Sequence, residues 1–180
     1  MSAGSVFITG SNRGLGLEFV RQFLALPNQP TVIFAACRDP ASATDLKALA
    51  KSSARTNVDI VKLDVTDESE LASAVSYVAG KVKDAGLNLL INNSGFYNKE
   101  EASLDAQNAP SLLKHFEINS VAPILVTKAF KPLLELSGKS VLASGSKLSA
   151  MHSGVVNIGT KMASIADNTS GGSYPYRMSK

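Results

Sequence analysis

Apolar and polar positions along this chain switch repeatedly between a strand period and a helix period. Val6, Phe7 and Ile8 form a short β-rich run that ends in Thr9-Gly10, and a helical pattern opens near Gly14. That pattern carries Leu15, Phe19, Phe23 and Leu24 on one face, and Pro27 and Pro30 close it. Thr31 to Ala36 is a continuous β-favouring run, as a strand covered on both faces would be. A weaker helix through Leu46 and Leu49 leads to a third strand, Val58 to Leu63, which closes on Asp64-Val65. Asp67 and Glu70 resemble a capping box, starting a helix with Leu71, Val75, Val78 and Val82 inward. Leu87 to Ile91 is a fourth buried strand running straight into Asn92-Asn93-Ser94-Gly95. Residues 96–109 read as a loop, followed by one long helix from about Pro110 to Leu136. Gly138 to Ser153 is serine-rich and reads as a surface excursion, Gly154 to Ile158 as a fifth strand. The remainder, to Lys180, is loop and then the start of a helix.

Strands alternating with helices call for an α/β fold, a doubly wound parallel sheet with right-handed crossovers. The expected strand order is 3-2-1-4-5, within a single domain spanning residues 1–180. Ligands of such sheets lie beyond the carboxyl ends of the strands. The polar clusters Gly10–Gly16, Arg38, Asp64, Asn92–Gly95 and Gly159-Thr160 all fall at those ends.

Composition narrows the class without deciding it. A chain with 44% hydrophobic and 18% charged residues is ordinary globular protein. The net charge of +3 is scattered, with no Lys/Arg run, so neither a nucleic-acid nor a membrane footprint is expected. Cys37 is the only cysteine, which excludes an internal disulfide and suits a reducing compartment. The N-terminus carries no signal-peptide pattern and no apolar run approaches membrane-spanning length, so the expected location is cytoplasmic. His115 and His152 have no ligand pattern beside them, and no metal is assigned.

The candidate chemistry begins at the first turn. A strand that bends through Gly10, Gly14 and Gly16 into a helix leaves helical N–H groups pointing outward, a ready site for phosphate. The spacing is not G-x-G-x-x-G. At the end of the second strand, an acidic group would accept bonds from a ribose 2′-OH and repel a 2′-phosphate. Arg38 stands there instead, with Arg13 in the glycine loop. Two guanidinium groups suit a phosphate, which favours NADP(H) over NAD(H). Tyr176 and Lys180 are four apart at the opening of a helix and share one face. A lysine ammonium nearby favours phenolate, so such a tyrosine can pass a proton to a carbonyl oxygen while hydride arrives at carbon. Pro123 lacks an N–H, so the carbonyl of Asn119 loses its usual donor, and a kink is expected there.

Together these motifs resemble the short-chain dehydrogenase/reductase family. Thr9-Gly10-Ser11-Asn12-Arg13-Gly14-Leu15-Gly16 is similar to its T-G-x-x-x-G-x-G loop, Asp64-Val65 to its adenine-contacting pair, and Asn92-Asn93-Ser94-Gly95 to its N-N-A-G. Asn119, Tyr176 and Lys180 match its catalytic asparagine and Y-x-x-x-K. Phe34 to Pro40 and Asp167 to Lys180 look closest to the carbonyl-reductase and C-factor-like branch, whose members typically use NADPH. The resemblance implies a Rossmann-type fold with Gly10, Asn12, Arg13, Gly14, Leu15, Gly16, Arg38, Asp64, Val65, Asn92, Ser94, Gly95, Tyr176 and Lys180 at the cofactor. It also implies a water linking Asn119 to the lysine, a small-molecule carbonyl substrate, and compatibility with a homo-oligomer.

Two departures stand against that pattern. Gly159-Thr160 occupies the place of the family's Ser-Ser pair; Thr160 is the favoured substitute for the catalytic hydroxyl, and Ser164 is a second candidate. Family members continue past the lysine, so the C-terminal strands of the sheet are expected to be missing from this chain, leaving it weakly stable or poorly active. The expected function is NADPH-dependent carbonyl reduction with Asn119, Thr160, Tyr176 and Lys180 catalytic. The alternative is a catalytically inactive NADP(H)-binding protein acting as a binding or signalling module.

Overall fold

The computed structural model describes residues 3–143, 145, 149 and 152–180. Five strands are present: β1 (Ser5–Thr9), β2 (Val32–Cys37), β3 (Asn57–Lys62), β4 (Leu89–Asn92) and β5 (Gly154–Asn157). All neighbours pair in parallel, in the order β3-β2-β1-β4-β5 expected from the alternation. The helices are α1 (Gly14–Ala25), α2 (Thr44–Ser52), α3 (Glu68–Val82), α4 (Ala109–Phe116), α5 (Ala122–Ala143) and α6 (Tyr174–Ser179).

The central strands are apolar on both faces because each face packs under its own helix layer. Val6, Ile8, Ile33, Ala35, Leu89 and Ile91 bury against Leu17 and Val20 of α1 and Leu46 of α2. The intervening Phe7, Phe34 and Leu90 bury on the other face, against Leu71 and Val78 of α3 and Phe130 and Leu133 of α5. Phe7 anchors that side, its ring 4.4 Å from Phe130 and 6.5 Å from Phe34 between centroids. Burying such rings is the largest favourable term in a core of this kind. The chain leaves β1 for β2 on one side and reaches β4 on the other, so the strand order reverses beside β1. That switch point is where doubly wound sheets open a crevice.

Four local expectations need correction. Leu15 is 63% exposed, and the inward face of α1 is Gly16, Leu17 and Val20, with Phe23 and Leu24 half-buried. Asp67 caps α3, accepting from the N–H groups of Ser69 and Glu70. Glu70, however, reaches the Asp64 N–H at 2.7 Å and Lys62 at 2.6 Å rather than returning to the cap residue. The expected long helix is α4 and α5 joined by a five-residue π-helical segment, Glu117–Val121, in place of a simple kink. It also continues past Leu136 to Ala143 despite Pro132, because Phe130, Leu133, Leu134 and Ser137 are buried along it. Part of the expected serine-rich excursion is therefore helix, and much of its remainder lies outside the described residues.

Candidate functional site

The bend after β1 is built by glycine and by the strand beside it. Gly10 and Gly14 hold φ of +68° and +56°, the left-handed region that favours glycine. At Gly16 the requirement is steric, since a Cβ would lie 2.1 Å from the Gly10 carbonyl oxygen. Asn93 fixes the bend from β4: its Nδ2 donates to the carbonyls of Thr9 and Gly10 at 2.9 and 3.1 Å. Thr9 Oγ1 answers by accepting from the N–H groups of Asn93 and Ser94. Ser11 donates to the Ile8 carbonyl at 2.8 Å. The start of α1 has no side-chain cap and no acidic residue in its first turn, so its leading N–H groups keep their capacity for an anion.

Arg13 and Arg38 are exposed at adjoining strand ends, and neither side chain makes a hydrogen bond or ion pair among the described residues. Arg38, Asp64, Thr66, Lys114, Ile118 and Val121 line a cleft of about 680 Å³. Asp64 forms a tight turn there, its Oδ1 accepting from the Thr66 N–H and hydroxyl. Glu70 pins that turn from below, and its bond with Lys62 holds its carboxyl below the usual carboxylate range.

A second group assembles at the mouth of β4. Asn119, buried in the π-helical segment, accepts from the Phe96 N–H at 2.7 Å and donates to the Phe96 carbonyl and to Ser179 Oγ, each at 2.9 Å. Lys180 donates from Nζ to the Ser94 carbonyl at 3.0 Å. Gly95 is the floor between them: a Cβ there would lie 3.2 Å from Lys180 Nζ and 3.4 Å from Asn119 Oδ1. Burial pushes the Lys180 ammonium below its ordinary value. The Tyr176 ring packs on Tyr97 at 4.6 Å, and its hydroxyl makes no hydrogen bond among the described residues. Its proton is uncommitted.

The remaining expected residues divide. Val65 and Asn12 are half-buried near the two bends. Leu15 points to solvent, so only its backbone belongs to the bend. Asn92 is 3% exposed, and its amide donates to Pro123 carbonyl, Thr127 Oγ1 and Asn157 Oδ1, away from the Ser94–Gly95 corner. Thr160 is half-buried and caps a short 3-10 turn by accepting from the Met162 N–H at 3.2 Å. Ser164 is exposed and accepts from the Asp167 N–H.

Four residues at this site were not singled out from sequence as site residues. Ser179 links Asn119 to α6 and donates to the Pro175 carbonyl at 2.6 Å. Ser173 bonds the Tyr97 hydroxyl at 2.8 Å. Arg177 bonds the loop ahead of α6. His115 is fully buried; the Ser111 carbonyl can only accept, so Nδ1 carries the proton and Nε2 accepts from the Asn98 N–H at 3.3 Å. The Gly171-Gly172 pair signals a sharp turn before Tyr176, but nothing in the spacing names the partners of Ser173 or Arg177.

Comparison with known proteins identifies the family and the fold. The family described as short chain dehydrogenase matches residues 5–160. An uncharacterized oxidoreductase of Schizosaccharomyces pombe is 39% identical over 132 residues, covering 71% of this chain and 48% of its own length. Among solved structures, the carbonyl reductase Sniffer of D. melanogaster superposes with a TM-score of 0.92 at 35% identity, over 99% of this chain and 70% of that one. The NADPH-bound carbonyl reductase from chicken fatty liver gives 0.90 at 35% identity, over 100% of this chain and 69% of that one. The chain thus spans about half the length of the curated relatives it matches. With the family match over residues 5–160 and the agreement of its fold with these solved structures, the chain belongs to the short-chain dehydrogenase family.

Proposed function

We propose that this chain, read as one nucleotide-binding unit over residues 1–180, serves NADPH-dependent reduction of a small-molecule aldehyde or ketone. The observation that carries the proposal is the convergence of Lys180 and Asn119 on Gly95, beside an uncapped helix start. A dinucleotide phosphate fits the bend. Nothing lies within 4 Å of where a Cβ on Gly14 would stand, so backbone can meet a pyrophosphate closely there. Arg13 and Arg38 supply cations with no internal partner, which suits a 2′-phosphate. The similarity to an NADPH-bound carbonyl reductase supports the same choice.

When bound, the nicotinamide ring supplies hydride to the substrate carbonyl carbon. Tyr176 holds the proton that moves to the carbonyl oxygen. Lys180, four residues after Tyr176, supplies the ammonium that opposes negative charge developing on the phenol, and its burial strengthens such an interaction by lowering the local dielectric. Thr160 accepts a backbone N–H and keeps its own O–H to donate to the substrate oxygen; its half-buried place at the strand end favours it over exposed Ser164. Asn119 holds the 94–97 segment so that the Ser94 carbonyl meets Lys180.

Substitution of the serine pair by Gly159-Thr160 favours a second reading, binding without catalysis. NADPH fluorescence titration, run beside NADPH oxidation against a panel of aldehydes and ketones, separates the two. Binding with turnover is expected, binding alone selects the second reading, and no binding overturns both. No helix among the described residues is long and apolar enough to cross a membrane.

A further inference from the structure

We propose that Arg177 is a positioning residue: its guanidinium fastens the 161–173 loop and thereby sets where Thr160 and Tyr176 stand. Arg177 lies within the Tyr176–Lys180 spacing but takes no part in the Asn119–Lys180 corner. Its guanidinium makes four hydrogen bonds, all to uncharged acceptors of the preceding loop. Nε donates to the Gly172 carbonyl at 2.9 Å and Nη1 to the Met162 carbonyl at 2.7 Å. Nη2 donates to Ser170 Oγ at 2.9 Å and to the Gly171 carbonyl at 3.0 Å. A flat fork with fixed donor directions can gather acceptors from both ends of a loop in this way, and a lysine ammonium cannot.

What is gathered explains the need. Gly171, Gly172 and Ser173 all hold positive φ, at +60°, +62° and +51°. For Ser173 that is the left-handed region, which costs a non-glycine residue energy and persists only when its surroundings over-determine it. Arg177 binds the carbonyls on one side of the turn. On the other, the Ser173 N–H donates to the Ala102 carbonyl at 2.6 Å and its hydroxyl meets Tyr97. Tyr97 in turn lies against the Tyr176 ring at 4.6 Å. Met162 belongs to the turn that Thr160 caps, so one guanidinium ties the hydroxyl at the end of β5 to the helix carrying the phenol. The proposal rests on the reading above only for the chemical task given to Tyr176.

The test combines readouts that do and do not need turnover. In Arg177→Ala, hydrogen exchange of residues 158–173 should accelerate at least tenfold while β1 and β2 exchange as before. The ring resonances of Tyr176 in tyrosine-labelled protein should shift as well. Millimolar guanidinium, with sodium chloride as the ionic control, should reverse both changes in part. Arg177→Lys keeps the charge and should still show them. In an active wild type, kcat for carbonyl reduction should fall by about tenfold or more, with NADPH affinity within twofold, as misplacement of reacting groups predicts. Unchanged exchange and unchanged Tyr176 resonances would overturn the proposal whether or not the wild type turns over, and so would faster loop exchange with unaltered kcat. Should Arg177→Ala fail to fold, Arg177→Gln, which keeps two donors, carries the same comparison. A wild type that binds NADPH without turnover defeats the assigned chemistry but leaves the exchange and resonance arms to judge the fastening.

Discussion

Gly16 and Lys180 show two ways in which a single residue is fixed by what surrounds it. A methyl group at position 16 would stand 2.1 Å from the Gly10 carbonyl oxygen and 2.6 Å from Asn93 Nδ2, so backbone would have to move. Gly16→Ala should therefore lower stability by about 1–3 kcal/mol in urea unfolding, the usual cost of forcing atoms into a packed site. It should also weaken NADPH binding, because the bend is what moves. Lys180 is different, since its burial penalises the charged form only. The folded chain then binds fewer protons than the unfolded chain at pH values just below the ordinary lysine value of about 10.5. Stability should rise with pH through that alkaline window, and Lys180→Met should remove the rise. Lys62, pushed upward by Glu70, and Lys81, pushed upward by the Tyr77 hydroxyl and then by Asp59, oppose this above the same value. The wild-type-minus-variant difference isolates Lys180, and an identical pH slope in both chains would refute the argument. Tyr176 and Lys180 could be read from spacing because residues four apart on a helix share one face, and Asn119 because Pro123 stands four residues after it. Ser173 and Arg177 could not, because their partners depend on three consecutive left-handed residues that no spacing encodes.

At the scale of elements, the join between α4 and α5 carries the most information. The five-residue π turn at Glu117–Val121 ends two residues before Pro123, which cannot donate to any upstream carbonyl. A widened turn tolerates the missing donor and buries Asn119 against Phe96 and Ser179. Pro123→Ala restores the N–H, so the segment should tighten toward α-helix, with the Ala122 N–H leaving the Glu117 carbonyl it now meets. Stability should hold or rise slightly, while carbonyl turnover should fall as Asn119 rotates from its partners. A well-resolved structure of the variant that keeps the wide turn would show that the proline is not its cause. The sequence disclosed the proline and its missing donor but not the π geometry, since one residue of slack can also be absorbed as a kink. The end of the helix was misplaced for another reason, because the serine-rich stretch from Gly138 reads as loop. Buried contacts of Leu133, Leu134 and Ser137 carry α5 onward to Ala143, a tertiary effect that local propensity does not express.

Across the whole molecule, the parallel order does two things that no single element could. It brings the ends of β1 and β2 side by side, the arrangement that the proposed sharing of one phosphate by Arg13 and Arg38 requires. Arg38→Ala should raise the NADPH dissociation constant by about tenfold or more and leave that of NADH nearly unchanged, as loss of a charge-assisted bond predicts. Equal loss for both cofactors would place Arg38 away from the 2′-phosphate. The order was legible because strands and helices alternate strictly, with the crossover hand fixed by chain chirality. It also leaves β5 at an edge of the sheet, with Val155 and Val156 37% and 36% exposed. Gly154 and Ile158 donate their N–H groups toward β4. By the alternation of a parallel ladder, Val156 does so too, and the N–H groups of Val155 and Asn157 face outward. An open apolar edge is a template for pairing between chains. The chain should therefore associate with rising concentration in sedimentation or light scattering. Val155→Pro, which deletes an outward N–H, should suppress that association and keep the fold. Val156→Pro removes a bond inside the sheet and should cost about 3 kcal/mol. Equal behaviour of the two proline variants would mean that association runs through another surface.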